Sequence, residues 1–249
     1  MAVEFGNYAD EFFVNINLQT NMELPHTRET VLHFCEAVQR DFPSMNTFFR
    51  REGGEFVLEA DRESGSYPWM ELHPRRLSAG FLSPMNLETA YRLHEWMLER
   101  SVYYLGVSPL DVDCLDLLFG FNLDYAGNRD EVVAQALMGG SALAPMLLEG
   151  PARTLQCEPS FVISLDADCY LQARLWLETR GSSFQVRTGQ YTPDPISVFF
   201  AVRRYSRPGQ TFDMKEHFTE QRRLCEELAE RLVVPNIVQP IQSTIASHG

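Results

Sequence analysis

The stretch LLFGFNLDYAGNRDEVVAQAL, residues Leu117–Leu137, decides the fold of this chain. It begins as an apolar strand, passes through a turn rich in Asp, Asn and Gly, and continues as a helix that Asn128 caps. The earlier stretch FFVNINLQTNMELPHTRETVL, residues Phe12–Leu32, has the same order of strand, connection and helix, with Thr27 as the cap. The repetition predicts a chain that is built from two similar halves.

Both halves are predicted to continue with antiparallel strands and to end with a long helix. In the first half the long helix begins after Asn86. In the second half the strands include a short one at Ser183–Thr188, and Asp213 with Glu216 forms a capping box for the last helix. The predicted fold is therefore α+β, a tandem pseudo-twofold duplication of a strand–helix–(three or four antiparallel strands)–long helix unit with helices on one face of the sheet.

The repeat also predicts the organisation of the chain. Residues 1–109 form the first α+β half, residues 110–235 form the second, and residues 236–249 form a C-terminal tail. The tail, Asn236–Gly249, has little regular pattern, and we expect Ile237, Val238 and Ile241 to strap it along a surface.

Composition limits the classes of function. The chain has 249 residues and a formal net charge of −13. A field of that sign repels polyphosphate backbones and anionic membrane surfaces, so neither nucleic acid nor membrane is an expected partner. No apolar run approaches the roughly 18 residues that a transmembrane helix needs.

The N-terminal sequence and the cysteines predict a cytoplasmic protein. The first residues, MAVEFGNYADEFF, lack the basic and apolar regions of a signal peptide. The five cysteines are scattered and form no CxxC pair. An odd, dispersed set of this kind is typical of reduced thiols in a cytoplasm.

Paired arginines lie on or beside two of the predicted strands, as Arg75-Arg76 and Arg203-Arg204. Neighbouring residues of a strand point to opposite faces, so one arginine of each pair reaches the concave side of the sheet. Guanidinium groups hold carboxylate and phosphate groups well. We therefore predict an anion site that involves Arg76 and Arg204.

His94 is a third candidate ligand-binding residue, because it lies on the apolar stripe of its helix with Glu95 and Glu99 nearby. It fits either a general base or metal ligand, or a core-edge histidine with one hydrogen-bond partner, and we favour the second interpretation. No HxxxH, HExxH or CxxC spacing occurs in the chain. The sequence thus predicts no catalytic residue, no metal and no cofactor.

Three functions are compatible with these observations. Acidity, duplication and the lack of a catalytic motif favour a non-catalytic binding or interaction protein, adaptor-like or chaperone-like, whose partner is a protein with a basic segment or a small anionic ligand. The alternative is an enzyme that acts on a small acyl or carboxylate substrate, similar to double-hotdog thioesterases. Nucleic-acid binding ranks last, although the element order is similar to that of duplicated TATA-binding-protein-like and helix-grip folds.

Overall fold

A computed structural model describes residues 4–148 and 153–248, without the side chain of Leu148. It is 39% helical and 28% strand, which confirms the predicted α+β class. The described residues form one nine-stranded antiparallel sheet. Its strands are β1 (Glu11–Thr20), β2 (Thr47–Arg50), β3 (Phe56–Glu59), β4 (Tyr67–His73), β5 (Arg76–Leu82), β6 (Val112–Leu123), β7 (Ser160–Ser164), β8 (Leu171–Glu178) and β9 (Ile196–Tyr205).

The helices are distributed along the chain between groups of one to four strands and at its C-terminal end. Short 3-10 turns precede β1 and β4, and a π-helical segment, Ala229–Val238, joins the last two helices. The α-helices are α1 (Arg28–Asp41), α2 (Leu87–Tyr104), α3 (Arg129–Met138), α4 (Ala144–Leu148), α5 (Ser183–Thr188), α6 (Met214–Leu228) and α7 (Gln239–His248). Among the described residues, no helix has the length and apolar character needed to cross a membrane.

The sheet runs in the order β2-β3-β4-β5-β1-β6-β9-β8-β7. Its centre is the antiparallel pair of β1 and β6, in which Ile16 lies opposite Leu117. The two sequence stretches that resemble each other therefore supply the two central strands. Each is flanked on its other side by the last strand of the same predicted half, β5 beside β1 and β9 beside β6.

The side chains of β1 show how the sheet is oriented. Alternate residues are fully or almost fully buried in the core, and the residues between them are half-buried. The buried set, Phe12, Val14, Ile16 and Leu18, faces the helices, because α2 contacts β1 and β5 while α6 contacts β6 and β9. The opposite side of the sheet, which carries Phe13, Asn15, Asn17 and Gln19 on β1, is called the open face below.

Helix α6 is fixed to the sheet by a buried amide. Gln221 is fully buried, and its Nε2 donates to the carbonyl oxygens of Leu115 at 2.7 Å and Val202 at 2.8 Å. Backbone carbonyls at the centre of a sheet already accept one hydrogen bond, so this contact uses their second lone pair. It holds α6 across the junction of β6 and β9.

Each predicted N-cap residue accepts a backbone hydrogen bond from its helix, although at Asp213 the described contacts show this bond alone and not the reciprocal bond of a capping box. The Asn86 side chain accepts a hydrogen bond from the Thr89 backbone N–H at 2.9 Å, and Asp213 accepts from Glu216 N–H at the same distance. Thr27 and Asn128 cap α1 and α3 in the same way. These contacts satisfy backbone donors that an isolated helix start leaves unpaired.

The predicted strand at Ser183–Thr188 is wrong, because this segment is the helix α5. Ser182 and Gln185 form a reciprocal capping box: Gln185 N–H donates to Ser182 Oγ, and Ser182 N–H donates to Gln185 Oε1. Gly189 ends the helix with φ at +70°. The capping box and this glycine define both ends of one short helix, and they outweigh the weak alternation of the segment.

The predicted irregularity of Asn236–Gly249 is also wrong. The π-helical segment and α7 continue the helical path of α6 to His248, while Gly249 lies outside the described residues. Val238 and Ile241 are fully buried, and α7 contacts α3. Apolar side chains therefore do fasten this part of the chain, as the sequence predicts, but they do so from a helix.

The internal duplication is not confirmed. After its first helix the second half has three strands instead of four, and it carries the additional short helices α4 and α5. Arg28 and Arg129 are the residues that follow the predicted caps Thr27 and Asn128, and they differ in environment, since Arg129 is 1% exposed and Arg28 is exposed. The boundaries at residues 109 and 235 stay predictions, because one continuous sheet joins the two halves through β1 and β6.

Candidate functional site

A groove of about 370 Å³ lies on the open face, where β1 and β5 meet β6, β9, β8 and β7. Its lining combines guanidinium groups, side-chain amides and aromatic rings with a single carboxylate. The lining residues are Asn17, Gln19, Arg76, Asp116, Leu118, Val162, Gln172, Arg174, Trp176, Ala201, Arg203 and Tyr205. Three arginines thus converge on one cavity of a strongly acidic protein.

The carboxylate in the groove is already neutralised. Asp116 on β6 faces Arg203 on β9, and the two side chains form a bidentate pair with Nε–Oδ1 at 2.5 Å and Nη2–Oδ2 at 2.7 Å. Hydrogen bonding to Asp116 raises the pKa of Arg203. Arg203 Nη1 also donates to the Tyr205 hydroxyl at 3.1 Å. Because Asp116 is only 6% exposed, this ion pair is held in place and forms the polar base of the groove.

The other two arginines of the groove form no ion pair with any described residue. Arg76 and Arg174 are both exposed, on β5 and β8. The guanidinium carbon of Arg174 lies 4.5 Å from the centre of the Trp176 ring, a cation–π contact that fixes the side chain but leaves its N–H donors free. Two positive charges are therefore available to a ligand.

Arg76 also changes the titration of its neighbour on β4. Its Nη2 lies 2.5 Å from Nε2 of His73, which in turn approaches the carboxylate of Glu71. Burial first, and then the positive charge of Arg76, lower the pKa of His73 from its ordinary value of 6.5. His73 is thus neutral at pH 7, and it adds no second positive charge beside the guanidinium of Arg76.

Aromatic rings form one rim of the groove and support Arg174. Trp176 stacks on Phe199 with ring centres 4.9 Å apart, and Phe13 meets Phe199 edge-on at 6.0 Å. The ring of Phe13 lies directly over Gly120, where a Cβ atom would collide with it. Gly120 is therefore the residue that lets β1 and β6 accommodate an aromatic side chain on the open face.

Arg204 does not take part in this groove. It lies on the core face of β9, opposite Leu115 and Leu171, and pairs with Glu220 of α6. Its side chain is 12% exposed. Arg76 and Arg204 are therefore on opposite faces of the sheet, and the arginine that shares a face with Arg76 is the preceding residue, Arg203.

His94 is also remote from the groove, because it lies in α2 on the core side of the sheet. It is fully buried, with ring centres of Tyr91 and Phe218 at 6.2 Å and 6.0 Å. Neither ring nitrogen has a hydrogen-bond partner among the described residues, so the one partner that the sequence predicts is absent there. Burial lowers the pKa of His94 to about 3, which keeps the ring neutral.

The three predicted site residues, Arg76, Arg204 and His94, are therefore not brought together. Sequence reasoning missed Asp116, Arg174 and the amides of Asn17, Gln19 and Gln172. No local motif joins these residues, since they come from three strands, β1, β6 and β8, that are far apart in the chain. Within residues 4–148 and 153–248, no group of three His, Cys, Asp or Glu side chains is placed to hold a metal ion.

Among the other cavities of the described residues, two lie beside the start of α2. The larger, of about 760 Å³, lies between the start of α2 and the β3–β4 connection, and the guanidinium of its arginine, Arg92, lies over Phe42. The other, of about 440 Å³, is lined by four glutamates, among them Glu88 and Glu226. Arg222 pairs with Glu88, and the Tyr91 hydroxyl donates to Glu226 at 2.9 Å. Part of the charge in this acidic cleft is thus already engaged.

Comparisons with known proteins add little to this description. No protein-family model and no curated protein matches the chain. Among solved structures it is similar to the rolling circle replication initiator protein from Geobacillus stearothermophilus, at 9% identity over 78% of this chain and 73% of that one, with a TM-score of 0.21. A TM-score this low carries no argument about fold or function.

Proposed function

We propose that this protein is a non-catalytic binding protein that holds a small organic anion in the groove of the open face. The observation that carries the proposal is the pair Arg76 and Arg174, two exposed guanidinium groups on one cavity that have no carboxylate partner among the described residues. Guanidinium forks match the geometry of carboxylate and phosphate groups. The chain as a whole, with its net charge of −13, repels long polyanions, so a small anion fits best.

The lining indicates the kind of ligand. Trp176 stacks on Phe199, and the guanidinium of Arg174 lies over the same ring, so this ring helps to hold Arg174 at the groove. Asn17, Gln19 and Gln172 add amide groups, which both donate and accept hydrogen bonds. A carboxylate or phosphate that carries hydroxyl groups is the class that meets all of these groups.

A basic protein segment is the second partner that the sequence favours, and the acidic cleft beside α2 is where it would dock. The groove is preferred because Arg76 and Arg174 have no carboxylate partner among the described residues, whereas the glutamates of the cleft are partly engaged. The thioesterase alternative gains no support. In a double-hotdog thioesterase the sheet wraps around a helix, while α2 and α6 here lie along one face of an open sheet.

The cytoplasm remains the proposed compartment, and the five unpaired cysteines are compatible with it.

The proposal is tested with citrate and inorganic phosphate as separate probes, by calorimetry and by thermal unfolding. We expect citrate, phosphate or both to bind the wild-type protein and to raise its melting temperature, because a ligand that binds the native state stabilises it. The double variant Arg76→Gln with Arg174→Gln should lose at least about 10-fold in affinity, as expected for removing two charge-assisted contacts. Arg100→Gln, an exposed arginine on α2, is the matched control and should bind as the wild type does.

Since Arg76 and Arg174 are exposed, the double variant should unfold at nearly the same temperature as the wild type when no probe is present. Equal binding by the wild type and the double variant would show that the anion lies elsewhere. If neither citrate nor phosphate binds the wild-type protein, the proposal is wrong for carboxylates and for phosphates.

A further inference from the structure

The outer edge of the sheet at β7 is exposed and apolar. The sequence of this strand is SFVIS, residues Ser160–Ser164, and it contains no charged residue, proline or glycine. Phe161, Val162 and Ile163 are 55%, 58% and 53% exposed. Proteins normally protect an edge strand with charges, prolines or a covering element, because its free backbone groups can pair with another strand. The opposite edge, β2, ends in Arg50 and is followed by Arg51.

The backbone of β7 shows which residues could pair outward. Leu165 N–H donates to Leu171 C=O, and Leu177 N–H donates to Pro159 C=O. Hydrogen-bonded pairs alternate along an antiparallel ladder, so Phe161 and Ile163 also bond to β8. The N–H and C=O groups of Ser160, Val162 and Ser164 therefore point away from the sheet.

We propose that β7 pairs antiparallel with β7 of a second copy of this chain, with Val162 on the two-fold axis. An interface with two-fold symmetry must be complementary to itself, and SFVIS reads almost the same in both directions about Val162. The axis places Ser160 opposite the partner's Ser164, and Val162 opposite the partner's Val162. These are the residues whose backbone groups point outward, so the register makes about six backbone hydrogen bonds.

The same register joins the exposed apolar side chains. Phe161 comes opposite the partner's Ile163, and Ile163 opposite the partner's Phe161, at positions without backbone hydrogen bonds where side chains lie closest. Pairs of an aromatic with a β-branched residue are among the favourable cross-strand contacts. All four side chains lie on the core face of the sheet, since Phe161 faces Leu175 of β8.

Charge favours a second copy at this site over a basic or acidic segment. An uncharged strand offers no electrostatic complement to a charged partner, and two chains of net charge −13 repel each other less at an uncharged edge than at an acidic surface. A pair of five-residue strands buries less than the roughly 1,200–2,000 Å² of standard specific interfaces, so the pairing is weak and reversible. We therefore expect a dimer that dissociates in the micromolar range. Val162 also lines the groove, so pairing would bring the grooves of two chains together across the axis. The pairing itself does not depend on whether the groove binds an anion.

Sedimentation velocity from low micromolar to several hundred micromolar protein tests the pairing. The wild type should convert from monomer to dimer across this range. Val162→Lys and Val162→Glu should each stay monomeric, because each variant places like charges opposite each other on the axis. An equimolar mixture of the two should dimerise again, since the opposed charges then attract. Val102→Lys, at an exposed apolar position of α2, is the matched control and should dimerise as the wild type does.

Circular dichroism and thermal unfolding should show that both Val162 variants fold, because the side chain is more than half exposed. A wild type that stays monomeric throughout overturns the inference, and so does a Val162→Lys variant that dimerises like the wild type. A mixture that remains monomeric overturns the two-fold register.

Discussion

At the scale of single residues, the choice between Arg203 and Arg204 shows what a sequence leaves undetermined. A shift of one residue along a strand moves a side chain to the other face of the sheet. In β9 both alternating sets contain apolar residues, with Val198 and Phe200 on the core face and Phe199 and Ala201 on the open face. The recurrence of arginine pairs could therefore predict that one member reaches the open face, but the pattern could not identify which.

His94 is the residue whose environment departs furthest from water. Its ring is fully buried beside Tyr91 and Phe218 and has no hydrogen-bond partner among the described residues. Its folded-state pKa of about 3 lies below the ordinary value of 6.5, so the unfolded chain binds the extra proton. Stability contributed by the neutral ring is thus complete above about pH 6.5 and is lost as the pH falls towards 3.

We expect His94→Leu to stabilise the protein and to flatten its response to acid. Removing two unpaired buried nitrogens should add about 1–2 kcal/mol to the free energy of unfolding at pH 7. Between about pH 6.5 and 4.5 the wild type should lose about 2 kcal/mol through this group, since the limiting slope is 1.36 kcal/mol for each pH unit, and the variant should not. Urea unfolding at several pH values measures both quantities. His26→Leu, at an exposed position, is the control and should keep the wild-type slope; an equal slope in His94→Leu would contradict this account.

At the scale of elements, the caps could be predicted and the C-terminal helix could not. Asn86 and Asp213 are followed at once by amphipathic patterns, so the physical reason for each cap is local. Pro235 and Pro240 lie where the pattern would otherwise continue, and proline normally ends a helix. The chain instead passes Pro235 within a π-helical segment, in which the backbone hydrogen bonds are already rearranged. What decides the outcome is burial of Val238 and Ile241, which depends on distant elements.

We expect Ile241→Ala to lower the free energy of unfolding by about 2–4 kcal/mol, the usual cost of truncating a fully buried aliphatic side chain. Leu232→Ala in the π-helical segment is the control, since Leu232 is 45% exposed and should cost about 0.5 kcal/mol or less. Chemical denaturation of the two variants and the wild type measures the difference. Equal stability of Ile241→Ala and the wild type would show that α7 is dispensable for the core.

At the scale of the whole molecule, the sequence could identify the two central segments as strands, but it could not predict their pairing or the strand order. The resemblance of Phe12–Leu32 to Leu117–Leu137 identifies β1 and β6 as equivalent in pattern, and both prove central. The order of the outer strands depends on pairings between residues distant in the chain, such as Trp176 with Phe199 and Phe13 with Leu82. The groove is a product of that order, which is why its residues could not be collected from any one segment.

The net charge of the whole molecule leads to the last prediction. Binding to nucleic acid depends mainly on neutralising phosphates and is strongest at low salt. The open face carries arginines and aromatic rings, but the chain has 34 acidic residues against 21 Lys and Arg, so the summed field opposes a long polyanion. We therefore expect no retardation of duplex or single-stranded DNA in a gel-shift assay at low salt, even at micromolar protein. A retarded band that disappears as salt is added would show that the local charge of the groove overcomes the field of the molecule, and would move nucleic-acid binding ahead of the small anion.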